Sequence, residues 1–203
     1  MTSTSRFLLA LLAALTTGWC HATLPIQTLA TSQGAKVYLI QSHNLPMVDV
    51  QIDFDAGERR DPADKSGLAD SVAAMMSKGV RAQGGLPALD ENQLGEAWAD
   101  LGASFGGSAS DDRMSFRLRS LTRAELAARQ LGQPAYLPPL WNEERDRYMA
   151  AWREARTQPG TVANEQFMTA LYPDHPYGRH QSDTSLMAIQ AADLHHFHQQ
   201  YLW

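Results

Sequence analysis

Residues 64–80 read DKSGLADSVAAMMSKGV and have the pattern of one buried helix. Apolar side chains recur at the spacing of a single helical face. These are Leu68, Val72, Met75 and Met76. Asp64 is placed to cap the start of the helix, and Gly79 is placed to end it in a left-handed turn. The segment therefore predicts a helix at the centre of the core.

The sequence on both sides of this helix predicts short strands. The runs rich in β-forming or alternating residues are 26–30, 36–41, 47–54, 104–110 and 114–121. The first two are separated by a Ser-Gln-Gly turn and predict a hairpin. Residues 47–54, MVDVQIDF, alternate apolar and polar side chains, which is typical of a strand with one solvated face. Asp111 and Asp112 mark a turn between the last two runs.

Further helices are predicted over 90–101, 122–130, 141–156 and 191–201. Leu94, Trp98 and Leu101 form the apolar stripe of the first of these, and Gly102 ends it. Runs of strands interleaved with helices in this order predict the α+β class. We expect a single domain in which helices cover a mostly antiparallel sheet.

The first 22 residues have the composition of a secretory signal peptide. Arg6 precedes the apolar run FLLALLAAL, residues 7–15, which is too short to span a bilayer. Small residues at Cys20 and Ala22 suit cleavage before Thr23, whereas a buried N-terminal helix is the alternative. Lipid attachment at Cys20 is disfavoured because the preceding Trp19 is bulky. We expect a periplasmic or secreted domain of residues 23–203, without cysteine and with no membrane contact after cleavage.

Composition excludes several classes of partner. The chain of 203 residues has a formal net charge of −5, with 44% hydrophobic and 19% charged residues. This is ordinary for a globular domain, and a mildly acidic surface does not attract nucleic acid or anionic lipid.

Four short motifs in order carry a resemblance to a known family. They are Asp-Ala-Gly-Glu-Arg-Arg-Asp-Pro at 55–62, Gly-Leu-Ala at 67–69, Lys-Gly at 78–79 and Tyr-Pro-Asp-His-Pro-Tyr-Gly at 172–178. Together with the predicted elements, they resemble the first domain of the insulinase/pitrilysin family of zinc metallopeptidases. The resemblance covers about residues 24–203. It implies that the domain that normally follows in a family half is absent from this chain.

Active members of that family carry the zinc motif H-x-x-E-H on the helix equivalent to 64–80. The two histidines bind Zn²⁺, and the glutamate activates the bound water. The resemblance places Asp70, Ala73 and Ala74 at these three positions. It places the third ligand, a glutamate in active members, at Ala150 or Ala151. Alanine can neither bind a metal nor transfer a proton, so we expect no catalytic, metal or cofactor site.

The resemblance then implies a non-catalytic subunit. Such a chain would pair with an active zinc peptidase subunit and help to enclose extended peptides. One alternative is an active peptidase with displaced ligands, drawn from Asp70, Glu154 or the histidines near 195. Another is a purely structural assembly subunit.

The remaining candidate residues have simpler interpretations. His195, His196 and His198 form the densest histidine group, and solvated positions on a polar helix face are favoured over a metal site. His175 is expected to pack or hydrogen-bond within its Pro-rich loop. Three tryptophans are expected in the core rather than in a ligand pocket. These are Trp98, Trp141 and Trp152.

Overall fold

The computed structural model describes residues 25–42, 45–121 and 124–202. The chain divides into two compact units, Met1–Pro46 and Met47–Trp203. The predicted signal peptide lies outside the described residues, as does the start of the helix predicted at 122. The strands are β1 (Ile26–Ala30), β2 (Lys36–Ile40), β3 (Val48–Phe54), β4 (Gly79–Val80), β5 (Leu89–Asp90), β6 (Ser104–Ala109) and β7 (Met114–Ser120).

The first unit contains the predicted hairpin. Strands β1 and β2 pair antiparallel, with Ile26 opposite Ile40 and Ala30 opposite Lys36. Gly34 adopts a positive φ of 90° in the connecting turn, a conformation that glycine adopts without steric cost.

The second unit is built on an antiparallel sheet of order β3-β7-β6. Ile52 pairs with Phe116 on one side of β7, and Gly107 pairs with Phe116 on the other. The alternation predicted for β3 is confirmed, because Val50, Ile52 and Phe54 are partly buried while the intervening side chains are exposed. In the central strand β7, every second side chain is buried.

Seven helices are found among the described residues. They are α1 (Leu68–Met75), α2 (Glu91–Asp100), α3 (Glu125–Gly132), α4 (Pro138–Ala155), α5 (Pro159–Leu171), α6 (Asp183–Ala188) and α7 (Ala191–Tyr201). The α2 prediction is confirmed in detail: Asp90 and Gln93 form a capping box, and Leu94 and Trp98 are buried. Helix α4 begins three residues earlier than expected, because proline is tolerated in the first turn.

The helix predicted over 64–80 is shorter than expected. Helix α1 starts at Leu68 and continues after Met75 as a single 3₁₀ turn, Met76–Lys78, before β4. Asp64 is exposed and does not cap it, so this expectation was wrong. Gly79 has a positive φ as expected, but it stands in β4 opposite Asp90 rather than in a left-handed cap.

The sequence patterns missed two helices. Helix α5 has no buried residue, so no apolar stripe distinguishes it from a loop. Helix α6 has six residues, too few for periodicity to be recognised.

Helix α1 occupies the centre of the larger core. It lies against α7, β6 and α4, and its apolar residues Leu68, Val72, Met75 and Met76 are all buried as predicted. A second cluster around Val80, Leu94 and Leu118 joins α2 to the sheet. The α+β class with a mostly antiparallel sheet is therefore confirmed. Among the residues that the structure describes, no helix has the length and apolar character needed to cross a bilayer.

Candidate functional site

The start of α1 is fixed by Asp61 rather than by a residue of the helix itself. Its carboxylate accepts hydrogen bonds from the backbone N–H groups of Gly67 at 2.8 Å, Leu68 at 3.0 Å and Ala69 at 2.9 Å. Asp61 is only 5% exposed. Burial raises its pKa to about 7, although the three N–H donors lower it. This long-range cap lets Gly67 adopt a positive φ of 98°.

The three motif positions lie along α1. Ala73 is 5% exposed and belongs to the core, so a larger side chain there would have to displace its neighbours. Asp70 and Ala74 are half-buried and one turn apart.

Helix α4 supplies the side chain that meets Asp70. Burial raises the pKa of Asp70, and the Tyr148 hydroxyl beside it opposes the rise by favouring the ionised carboxylate. Burial, with the nearby charges of Asp70 and Glu144, raises the pKa of Tyr148 far above its usual value. The phenol is therefore a permanent donor at neutral pH.

The expected third-ligand position lies close to this contact in sequence. Ala151 follows Tyr148 by three residues, so both lie on the same side of α4. Ala150 and Ala151 are exposed. Glu154 is also exposed, and its spacing of six residues turns it to a different side of the helix.

An ion pair joins α4 to the turn after α1. Lys78 Nζ lies 2.9 Å from Glu144 Oε1 and 2.7 Å from Glu91 Oε1. The side chains of Lys78 and Glu144 are only 15% and 14% exposed, so water screens their interaction weakly.

These residues do not fit a zinc ion. Zinc in proteins takes at least three Cys, His or carboxylate ligands that converge on one point. Here the motif positions offer one carboxylate, Asp70, and two alanines. Within residues 25–42, 45–121 and 124–202, no group of three or more His, Cys, Asp or Glu side chains could hold a metal.

The solvated positions that the sequence predicted for the histidines of α7 are confirmed for His196, which is exposed, but are wrong for His195 and His198. His198 is 4% exposed, and its Nε2 lies 2.6 Å from the Leu131 carbonyl oxygen. Both His195 and His198 pack edge-on against the ring of Tyr136, at 5.1 and 5.8 Å between centroids. Burial lowers the pKa of both histidines, and the charge of Arg81 lowers it further. The polar pattern of α7 concealed this burial because the covering residues come from elsewhere in the chain.

Three loop segments meet in a region that we call the loop junction. They are residues 57–61, the β6–β7 turn and residues 172–178. Backbone N–H groups of Glu58 and Arg59 donate to the carbonyls of Ser110 and Asp111 at 2.9 and 3.0 Å. The Tyr177 hydroxyl donates to Asp112 at 2.6 Å, which places Asp112 in the expected turn.

Histidine and glycine complete the loop junction. His175 accepts a hydrogen bond from the Tyr177 N–H and packs against its ring, as expected for a loop-packing residue. A Cβ on Gly178 would lie 2.1 Å from the Tyr172 carbonyl oxygen, and one on Gly57 would lie 2.4 Å from the backbone of residues 111–113. Both positions therefore require glycine.

Two of the three tryptophans are core residues, as predicted. The indole N–H of Trp98 donates to Gln130, and that of Trp141 donates to the Ile189 carbonyl. Trp152 is half-buried, with the Arg156 guanidinium 5.1 Å from its ring centroid.

A groove of about 550 Å³ runs along α2. Leu94, Trp98 and Phe105 are the large apolar residues of its lining, which also includes Glu91 and Glu96.

Comparison with known proteins identifies the family. No protein-family model matches the chain, and no curated protein matches it. Among solved structures, a peptidase M16 inactive domain from Pseudomonas fluorescens is 31% identical with a TM-score of 0.77, covering 86% of this chain and 43% of that one. Pitrilysin matches with a TM-score of 0.71 at 20% identity, over 90% of this chain and 20% of its own.

This chain contains a domain of the insulinase/pitrilysin family. The periplasmic protease PqqL from Escherichia coli also has the fold, with a TM-score of 0.69 at 16% identity, covering 88% of this chain and 21% of that one. The chain thus spans less than half the length of each of these family structures.

The sequence patterns missed the roles of two residues near α1. The pattern of the helix predicted over 141–156 gives no sign that Tyr148 lies beside Asp70, because the two residues are 78 positions apart in the sequence. Asp61 lies within the Asp-Ala-Gly-Glu-Arg-Arg-Asp-Pro motif that the sequence analysis identified, but the sequence does not predict that it caps α1.

Proposed function

We propose that this chain is a non-catalytic peptidase-family subunit that pairs with an active zinc peptidase subunit and helps to enclose an extended peptide. The observation that carries the proposal is how α1 packs and which residues it presents at the motif positions. The helix is capped by Asp61 and packs its apolar face into the core, while the resemblance assigns Asp70, Ala73 and Ala74 to the positions of His, Glu and His in active members.

The comparisons support this reading without extending to a partner. The relative with the highest identity among those described above carries the words "inactive domain" in its printed description. The groove along α2 combines apolar and acidic lining residues, which suits a peptide side chain. An exported location is proposed from the signal-like residues 7–15, and PqqL is described as periplasmic.

A reading as an active peptidase with displaced ligands has less support. Asp70 is half-buried on α1, Glu154 is exposed on α4, and His198 lies against the Leu131 carbonyl. These groups do not converge on a common point.

The decisive experiment uses the purified mature chain, alone and mixed with a family homologue that carries H-x-x-E-H. Alone, it should contain no stoichiometric zinc and should not cleave peptides. In the mixture, sedimentation should show a complex, and the melting temperature of the chain should rise with partner concentration. Stoichiometric zinc with chelator-sensitive hydrolysis by the chain alone would refute the proposal.

A further inference from the structure

The groove along α2 contains a glycine that the packing of the domain does not require. Gly95 lies in the interior of this ten-residue helix and lines the groove. Glycine in a helix interior lowers stability by about 0.5–1 kcal/mol relative to alanine. Gly95 is exposed, and a Cβ added to it would meet no atom within 4 Å. No contact among the described residues therefore needs glycine here, whereas a side chain at this position would take up space in the groove.

The floor of the groove is apolar and held in one arrangement. Leu94 and Trp98 are buried, and the Trp98 ring stacks on Phe105 with 5.7 Å between centroids and 15° between ring planes. The Trp98 indole N–H donates to Gln130 Oε1 at 2.8 Å, and the Gln130 amide donates to the Met76 carbonyl oxygen at 3.1 Å. Because these bonds already fix the floor, a ligand that binds there does not have to pay the entropic cost of ordering it.

The groove carries a negative charge that is not paired. Among the described residues that line it, Glu91 and Glu96 are the charged ones. Glu91 Oε1 lies 2.7 Å from Lys78 Nζ, so a cation already faces it. Glu96 is exposed, and within the described part of the chain it makes no hydrogen bond or ion pair. The groove therefore offers one free carboxylate beside an apolar floor.

We infer that this groove binds a basic side chain of an extended peptide, with the aliphatic stem on Leu94 and Trp98 and the cationic end at Glu96. Arginine and lysine join an apolar stem to a charged end, which matches this lining. Arginine fits better than lysine, because its planar guanidinium binds a carboxylate through two parallel N–H groups and stacks on aromatic rings. The inference rests on the proposed peptide-binding role and adds the class of residue that the peptide presents.

Three labelled peptides test the inference on the intact mature chain. They are short alternating serine–valine sequences with a central arginine, citrulline or glutamate, and fluorescence anisotropy gives their dissociation constants. Citrulline has nearly the shape of arginine but no charge. The arginine peptide should bind about 5-fold more tightly than the citrulline peptide, and the glutamate peptide should bind most weakly. Added salt should reduce these differences.

Glu96→Gln removes the charge and keeps the shape of the side chain. The arginine and citrulline peptides should then bind with nearly equal affinity. Glu143→Gln is the matched control, because Glu143 is an exposed glutamate of α4 outside the groove and its substitution changes the net charge by the same amount. This control should keep the preference of about 5-fold for arginine.

Gly95→Ala should change peptide binding and stability in opposite directions. The added methyl group should weaken binding of the arginine and citrulline peptides by about 3-fold or more, while the melting temperature rises. Gly160→Ala is the control: Gly160 also lies in a helix, α5, where an added Cβ meets no atom within 4 Å, but it does not line the groove. Gly160→Ala should leave the affinity for both peptides unchanged.

Equal affinity of the wild type for the arginine and citrulline peptides, or no binding of either, would overturn the inference. A preference for arginine that survives Glu96→Gln, or an unchanged affinity in Gly95→Ala, would overturn it as well. The readout is peptide binding by the chain without a partner subunit. A negative result here is therefore distinct from a failure of the proposed pairing, which sedimentation measures.

Discussion

The loop junction and the motif positions of α1 lie within one domain, but they constrain sequence in different ways. At the loop junction, Gly57 and Gly178 leave no room for a Cβ, and backbone N–H groups bind carbonyls across loops. On α1, Asp70 and Ala74 are half-buried side chains without such backbone contacts across loops. The residues that hold the loops together are therefore not the ones that the resemblance assigns to the metal-binding positions.

The largest expected effect comes from adding a methyl group at the loop junction. Gly178→Ala should destabilise the domain by about 3 kcal/mol or more, since the new Cβ meets the Tyr172 carbonyl and the backbone must shift. Urea unfolding measures this. Gly95→Ala is the control: it lies within α2 with no atom within 4 Å of an added Cβ, and it should stabilise by about 0.5–1 kcal/mol. Equal changes in the free energy of unfolding for Gly178→Ala and Gly95→Ala would contradict the special constraint at the loop junction.

A smaller loss of stability is expected at Asp61, which lies where the loop junction meets the start of α1. Asp61→Ala leaves three backbone N–H groups at the start of α1 without an acceptor, and it should cost about 2–3 kcal/mol. Asp61→Asn keeps the shape and one acceptor oxygen, so its cost should be lower. Chemical denaturation compares the two, and an Asp61→Ala variant as stable as wild type would show that α1 does not depend on this cap.

His198 should make the stability of the fold sensitive to acid. Burial lowers its pKa in the folded chain, so the native state favours the neutral ring. Its contribution is fully present above pH of about 6.5 and is lost as the pH falls through its lowered pKa. Groups that face it are Tyr136, His195, Arg81 and the Leu131 carbonyl.

His198→Gln isolates this contribution, because the other titrating groups are common to both proteins. Between pH 7.5 and pH 5.5, the wild type should lose about 1 kcal/mol more stability than the variant. Thermal unfolding at several pH values measures the difference. His196→Gln, at an exposed position of α7, should leave the wild-type pH dependence unchanged. Parallel pH profiles for wild type and His198→Gln would contradict the prediction.

The smallest expected effect is a gain of zinc binding when the zinc-motif residues are introduced on α1. Asp70→His, Ala73→Glu and Ala74→His together supply two ligands and a base, but Ala150 and Ala151 still lack the third carboxylate. Zinc binding should be weak and peptide turnover absent, as calorimetry and a peptide assay would report. Adding Ala151→Glu should tighten zinc binding, whereas Ala150→Glu is the matched control. High activity from the three substitutions alone would show that the third ligand has been placed wrongly.

The sequence alone determined the class of fold. The apolar spacing of α1 and the alternation of β3 follow from local periodicity, which a single segment contains in full. The assignment of Asp70, Ala73 and Ala74 to the motif positions comes from the family resemblance, with Gly-Leu-Ala as the point of alignment. The tertiary structure decided where α1 begins, that Tyr148 lies beside Asp70 and that His198 is buried. Each of these depends on a partner far along the chain, and the periodicity of one segment carries no information about which distant residue will cover it.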